Sequence, residues 1–134
     1  MGVPVKILVV DDEAEVRELC RRVFNKEGYV VHLAVNGEDA LEILQNNRYH
    51  VAVVDLKMPT SVDGMKVLKE IKGNYPRTDV IIITGFGTIK SAVEAIQQGA
   101  ANYLSKPFEI EELNGVIKNC LHRQRLIDEE GFGD

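Results

Sequence analysis

The sequence predicts an α/β fold in which five parallel strands form one doubly wound sheet with five helices on its two faces. Three observations lead there. Short apolar runs alternate with stretches of helical period from one end of the chain to the other, the pattern of repeated strand–helix units. Three of the runs are almost unbroken Val, Ile and Leu, as expected of parallel strands covered on both faces. Acids, a threonine and a lysine stand where four of the runs end, and such sheets carry their sites at the carboxyl ends of the strands.

The elements follow in order. "VKILVV" (5–10), broken only by Lys6, is the first strand. Val16, Leu19, Cys20, Val23 and Phe24 form the stripe of a helix that Gly28 stops. "YVVHLAV" (29–35) is more mixed and belongs at a sheet edge. Asn36 is a good N-cap for "GEDALEIL", with Ala40, Leu41 and Leu44 turned inward. "HVAVVD" (50–55) is the third strand, followed by a helix capped by Asp63 and marked by Val67, Leu68 and Ile71. Met58 and Met65 read as loop and core filler. "DVIIIT" (79–84) precedes a fourth helix marked by Ile89, Ala92, Val93 and Ile96 and ended by Gly99. "NYLS" (102–105) precedes a fifth, marked by Ile110, Leu113, Val116, Ile117, Cys120 and Leu121. Gln124 and Ile127 continue that spacing. The globular domain is therefore drawn at residues 1–122, with 123–134 a helix extension, linker or fraying tail closed by Gly131 and Gly133.

A chain of 134 residues is one domain, large enough to bury a core without disulfide or metal staples. Its net charge of −5 argues against direct nucleic-acid binding, which needs a basic surface. No apolar run approaches the ~20 residues of a membrane span, and the first residues lack a signal peptide's apolar core. Cys20 and Cys120 lie far apart among apolar residues, so they read as reduced core thiols of a cytoplasmic protein.

The strand ends carry the chemistry. The first delivers Asp11 and Asp12, the third Asp55, the fourth Thr84, and the fifth Lys106 followed by Pro107. Carboxylates gathered at one point repel one another, and burial raises the cost of their charge, so the cluster asks for a cation. An all-oxygen set of Asp11, Asp12 and Asp55 suits Mg²⁺. Zinc has no site here, because His32, His50 and His122 are scattered and no Cys/His ligand spacing occurs. Lys106 can hold a phosphate oxygen or pair with Asp55, and the Thr84 hydroxyl can donate to a phosphoryl oxygen. Together these groups serve phosphoryl transfer through Asp55. Glu13 reads as a first-turn acid favoured by the helix dipole.

"ILVVDDE", "VVDLKMP", "DGMKVL", "IIITGFG" and "YLSKPF", in this order, make residues 5–122 resemble the receiver domain of bacterial two-component response regulators. The stretch "TGFGTIKSAVEAIQQGAANYLSKPF" is similar to receivers of the sigma-54 activator group. The resemblance implies a flavodoxin-like strand order 2-1-3-4-5. It implies that Asp55 accepts a phosphoryl group from a sensor histidine kinase, with no separate substrate turned over. Asp12 would ligate Mg²⁺ directly, Asp11 through water, and Lys57 through its backbone carbonyl, beside Asp55. Thr84 would be the switch hydroxyl and Tyr103 the aromatic that changes rotamer with it, reshaping the surface of the last two helices and last strand. As a residue alone, Tyr103 reads equally as a packing tyrosine. Lys106–Pro107 would be a cis peptide, and Gly85 would leave the phosphoryl group accessible. The chain would be either a stand-alone receiver or, as the similarity to the sigma-54 activator group favours, the receiver of a longer transcriptional regulator, with a homodimer through the last helices as one partner contact.

One departure from the family pattern stands out. "DLKMPTSVDG" holds one extra residue around Ser61–Val62, expected to bulge outward without displacing Lys57. In the family, the side chains two past the aspartate and two past the threonine tune hydrolysis. Here they are Lys57 and Phe86, which cannot orient a water as an amide or carboxylate can, so self-dephosphorylation should be slow.

Other functions compete. A haloacid-dehalogenase-type phosphohydrolase uses an aspartyl phosphate too, but needs a second aspartate where Lys57 stands, and the chain has no length for a cap domain. A nucleotide or flavin module would want glycines where the acids follow the first strand. A pseudo-receiver that binds partners without phosphorylation is disfavoured by the intact Asp–Thr–Lys set.

Overall fold

In a computed structural model, which describes residues 2–129, the predicted alternation is present throughout. The elements are β1 (Lys6–Val10), α1 (Ala14–Lys26), β2 (Val30–Ala34), α2 (Gly37–Leu44) and β3 (Val51–Asp55). They continue with α3 (Gly64–Asn74), β4 (Asp79–Thr84), α4 (Ile89–Gln97), β5 (Asn102–Ser105) and α5 (Ile110–Glu129). All strand pairs are parallel, in the order β2-β1-β3-β4-β5. The mixed second strand lies at an edge, as its composition requires.

Side chains alternate across each strand, so the three apolar runs supply both faces of the sheet. Ile7, Val9, Val53, Ile81 and Ile83 pack with Cys20 and Phe24 of α1 and with Leu113, Ile117 and Cys120 of α5. Leu8, Val10, Val54, Val80 and Ile82 pack on the other face with Leu44 of α2, with Val67, Leu68 and Ile71 of α3, and with Ala95 of α4. Phe24 is fully buried, and a side chain of that size contributes about 2 kcal/mol by leaving water.

Local signals set the helix limits. The Asn36 and Asp63 side chains accept from the amides of Asp39 and Lys66, capping α2 and α3. Thr88 and Ser91 form a reciprocal capping box at α4. Gly28 and Gly99, just past the ends of α1 and α4, hold positive φ, a conformation that other residues adopt at a cost.

The fourth helix corrects the sequence reading. Its apolar stripe does not face the core: Ile89 is 87% exposed, and Val93 and Ile96 are 50% exposed. The buried contact is made by Ala95, a small residue that lets the helix lie close to the sheet beside edge strand β5. Phe86, in the loop before α4, is 75% exposed as well.

The fifth helix runs past residue 122 as a docked extension. Gln124 Nε2 donates to the His50 carbonyl at 2.9 Å and to Asp79 Oδ2 at 2.7 Å. Arg123 pairs with Asp79 at 3.4 Å, and Arg77 pairs with Asp128. These contacts seat the extension against the amino end of the sheet. Gly131 and Gly133 lie outside the described residues. Among the described residues, no helix is long and apolar enough to cross a membrane.

Candidate functional site

Strand register assembles the site. Val10 is level with Val54, Asp55 with Ile83, and Thr84 with Ser105, so the residues that end these strands, or follow them, share one edge. The structure brings together Asp11, Asp12, Asp55, Thr84 and Lys106, as the sequence predicts.

Asp11 is fully buried and tightly oriented. Its amide donates to the Ala34 carbonyl at 3.2 Å, and its Oδ1 accepts the Glu13 amide at 2.8 Å. Its own carbonyl accepts from Arg17 Nη1 at 2.8 Å. Asp55 is also buried, and its Oδ1 accepts the Lys57 amide at 3.3 Å. Lys106 stands over both carboxylates. Its Nζ lies 2.8 Å from Asp11 Oδ2, 2.6 Å from Glu13 Oε1 and 3.4 Å from Asp55 Oδ2. The Lys106–Pro107 peptide is cis.

The electrostatics follow from burial and crowding. Burial, then the neighbouring Asp11 charge, push the Asp55 carboxyl up to about 6 from 3.8, against the opposing pull of Lys106. Burial also raises Asp11, partly offset by the Lys106 ammonium. For Lys106 burial favours the neutral form, but the carboxylates of Asp11 and Glu13 outweigh it and hold the ammonium charged. The Cys20 thiol is pushed up to about 12 by burial and by Asp11, which makes it an unreactive core thiol.

The residues fit a hard divalent cation. Asp11, Asp12 and Asp55 each offer a carboxylate oxygen, all within 4.8 Å of one another. Asp11 Oδ2 is buried with no hydrogen-bond donor, and its 2.8 Å approach to Lys106 lacks hydrogen-bond geometry. Lys106 supplies one positive charge to the three carboxylates of Asp11, Glu13 and Asp55, so the cluster keeps an excess of negative charge that a further cation would offset. Oxygen donors of this kind and number suit Mg²⁺.

Thr84 is fully buried at the end of β4, its Oγ1 accepting the Phe86 amide at 3.1 Å. Tyr103 is half-buried against the core on the α2–α3 side, with its hydroxyl 3.0 Å from Ser91 Oγ. The cleft beside the carboxylates, about 570 Å³, has Lys57, Gly85 and Phe86 on its walls. The Lys57 side chain points to solvent.

Sequence reasoning missed two participants. Glu13 occupies the N-cap position of α1 but makes no side-chain cap bond, turning instead to Lys106. The signal was its adjacency to Asp11 and Asp12. Arg17 supports the Asp11 main chain, and nothing in its sequence setting marks it. The loop 56–63 between β3 and α3 also differs from expectation. Ser61 is exposed, but Val62 turns inward to pack on the core near α2 instead of bulging out. The space exists because Gly37 has no side chain: a Cβ there would sit 2.0 Å from the Val62 carbonyl oxygen.

The sequence matches the response regulator receiver domain family over residues 7–118. It is 38% identical over 124 residues to the regulatory protein AtoC of Escherichia coli strain K12, covering 92% of this chain and 27% of that protein. It is 39% identical over 116 residues to sporulation initiation phosphotransferase F of Bacillus subtilis strain 168, covering 87% of this chain and 93% of that one. The chain thus spans about a quarter of the first relative's length and nearly all of the second's. Among solved structures, a CheY-like receiver domain from Methanospirillum hungatei JF-1 superposes with a TM-score of 0.88 at 27% identity, covering 92% of this chain and 98% of that one. With the fold, the strand order and the family match agreeing, the chain belongs to the response regulator receiver domain family.

Proposed function

We propose that Asp55 is the phosphoryl acceptor of a signalling switch supplied by a sensor histidine kinase. The observation that carries it is the buried Asp55 carboxylate, flanked by Asp11 and Lys106 at the edge where Thr84 ends the neighbouring strand. An Asp55 oxygen forms the bond to phosphorus as the phosphorus–nitrogen bond of a phosphohistidine breaks, the electron pair staying with the leaving imidazole. At neutral pH a carboxyl lifted to about 6 remains mostly ionised and competent as nucleophile. Asp11, Asp12, Asp55 and the Lys57 main-chain carbonyl are the groups that would hold Mg²⁺, which when bound neutralises charge on the phosphoryl oxygens. Lys106 shares that task, and Thr84 donates its hydroxyl to the new phosphoryl group.

The phosphorylated domain passes its state to the surface of α4, β5 and α5 through Thr84 and Tyr103. The outward stripe of Ile89, Val93 and Ile96 supports that surface as a partner or homodimer contact. The domain turns over no separate substrate and binds no nucleic acid itself. It acts in the cytoplasm as the receiver of a longer transcriptional regulator.

Incubation with acetyl phosphate and Mg²⁺, followed by intact mass, tests the acceptor. The wild type should gain one phosphoryl group, while Asp55→Ala and a metal-free control gain none. Steady release of inorganic phosphate from a general phosphate ester would favour a hydrolase instead.

A further inference from the structure

We propose that Glu38, in the first turn of α2, is a positioning residue that clamps the loop 56–63 and so sets the height of the Lys57 main chain beside the acid cluster. The clamp presupposes Asp55 as phosphoryl acceptor with Mg²⁺ beside it, as proposed above.

The loop is fastened at two places. At its roots, Gly64 packs so tightly on β3 that a Cβ there would sit 2.1 Å from the Asp55 carbonyl oxygen, and its amide donates to the Leu56 carbonyl at 3.0 Å. At its far side, Thr60 Oγ1 donates to Glu38 Oε1 at 2.5 Å and Ser61 Oγ donates to Glu38 Oε2 at 3.3 Å. Both carboxylate oxygens of Glu38 are thereby engaged by adjacent loop residues. Lys66 Nζ braces the same turn from α3, donating to the Ser61 carbonyl at 2.8 Å. Gly37, next to Glu38, allows the Val62 carbonyl to approach α2 as described above.

Between these fastenings lies Lys57. Its own tie is a hydrogen bond from its amide to Asp55 Oδ1 at 3.3 Å, longer than the usual 2.7–3.2 Å of such bonds. The position of the Lys57 carbonyl is therefore set by the two ends of the loop. Of these, the Gly64 root is backbone packing, and the Glu38 end is a side-chain clamp. The extra residue of this loop lies in the segment that the clamp holds. Without a clamp the longer loop has more freedom at Lys57, so a metal ligand there would have to be ordered on binding. The Thr60 hydrogen bond also holds the Glu38 carboxyl below its usual range, which keeps it ionised at neutral pH.

Glu38 also sits where an acid favours a helix N-terminus, so a merely helical role has to be separated from the clamp. Full-length Glu38→Ala, Glu38→Gln, Thr60→Ala and the Glu38→Ala/Thr60→Ala pair would be compared in three measurements. These are Mg²⁺ affinity by calorimetric titration, acyl-phosphate formation at saturating Mg²⁺, and hydrogen exchange of the loop amides in metal-free protein. Mutating an outer-shell partner typically lowers metal affinity 10–100-fold. Glu38→Ala should therefore weaken Mg²⁺ about tenfold, with phosphorylation at saturating Mg²⁺ close to wild type. Thr60→Ala should weaken it in the same direction, and the pair should be no worse than Glu38→Ala alone, as expected of one shared interaction. Glu38→Gln, which keeps an acceptor for Thr60, should recover part of the affinity. The Lys57 amide should exchange faster in both alanine variants.

Wild-type Mg²⁺ affinity and loop exchange in Glu38→Ala, with a lowered melting temperature, would overturn the clamp and leave a helical role. Additive losses in the pair would overturn it too. A wild type that binds Mg²⁺ and is phosphorylated, beside variants that do both equally well, would sink the clamp alone. A wild type that does neither would overturn the acceptor assignment and the clamp with it.

Discussion

Lys106 Nζ stands 3.4 Å from Asp55 Oδ2 but only 2.8 Å from Asp11 Oδ2, so the lysine leans away from the proposed phosphoryl acceptor. It neutralises the buried Asp11 while holding the nucleophilic Asp55 carboxylate less closely. Glu13, at 2.6 Å, holds the ammonium from the solvent side. One cation thus serves three carboxylates.

Removing that cation should be costly in two ways. In metal-free Lys106→Ala, Asp11 is left buried and unpaired, and urea denaturation at pH 7 should give a stability lower by about 3 kcal/mol. The deficit should shrink at pH 5, where the acid cluster begins to take up protons. Acyl-phosphate formation should fall about 100-fold, the usual loss when one preorganised electrostatic group is deleted.

Asp55 makes the metal-free protein pH-sensitive. Its folded value of about 6 lies above the ordinary 3.8, so the folded state holds this proton more tightly than the unfolded chain. The stabilisation is present in full below the unfolded value and is lost as pH rises through the folded one. Asp55→Asn has no such charge. It should therefore gain stability over wild type between pH 4 and pH 7, by about 2 kcal/mol at the upper end. Mg²⁺ should narrow the gap by stabilising only the wild type. Paired denaturation curves at several pH values, with and without Mg²⁺, check both statements.

Two glycine replacements should act in opposite directions. Gly64→Ala forces a Cβ against the Asp55 carbonyl, and backbone there cannot yield without moving the end of β3. A loss of about 3 kcal/mol or failure to fold is expected. Gly115→Ala, in open space on α5, should stabilise by about 1 kcal/mol. Thermal melts of the two proteins make the comparison.

The lifetime of the phosphorylated form depends on what can orient water in the cleft. Lys57 and Phe86 line it, and neither side chain positions a water for attack. The acyl phosphate should persist for minutes or longer in Mg²⁺ buffer. Lys57→Asn, which introduces a carboxamide at the rim, should shorten it several-fold. Decay of the phosphorylated mass after removal of the donor reads this directly.

Much of this architecture is legible in the residues. Continuous Val, Ile and Leu runs identify β1, β3 and β4, because strands covered on both faces need no polar alternation. The strand ends then name Asp11, Asp55, Thr84 and Lys106, since a parallel sheet brings those ends to one edge. The stripe of α4 misleads because periodicity reports that a helix has an apolar face, not which way that face points. Ala95, too small to mark a core position, makes the contact. Glu13 and Glu38 escape notice for a related reason. Both stand at helix N-termini, Glu13 as N-cap and Glu38 in the first turn, where the helix dipole already explains an acid, and their partners, Lys106 and Thr60, are distant in sequence.

The central claim is that Asp55 carries the phosphoryl group, and chemical mapping tests it most directly. The protein would be phosphorylated with acetyl phosphate and Mg²⁺, reduced with borohydride to convert an acyl phosphate to an alcohol, digested and sequenced by mass. The account predicts homoserine at position 55, with Asp11 and Asp12 intact. Homoserine at position 11 or 12, or a stable phosphate ester on Thr84 with Asp55 unmodified, would contradict it.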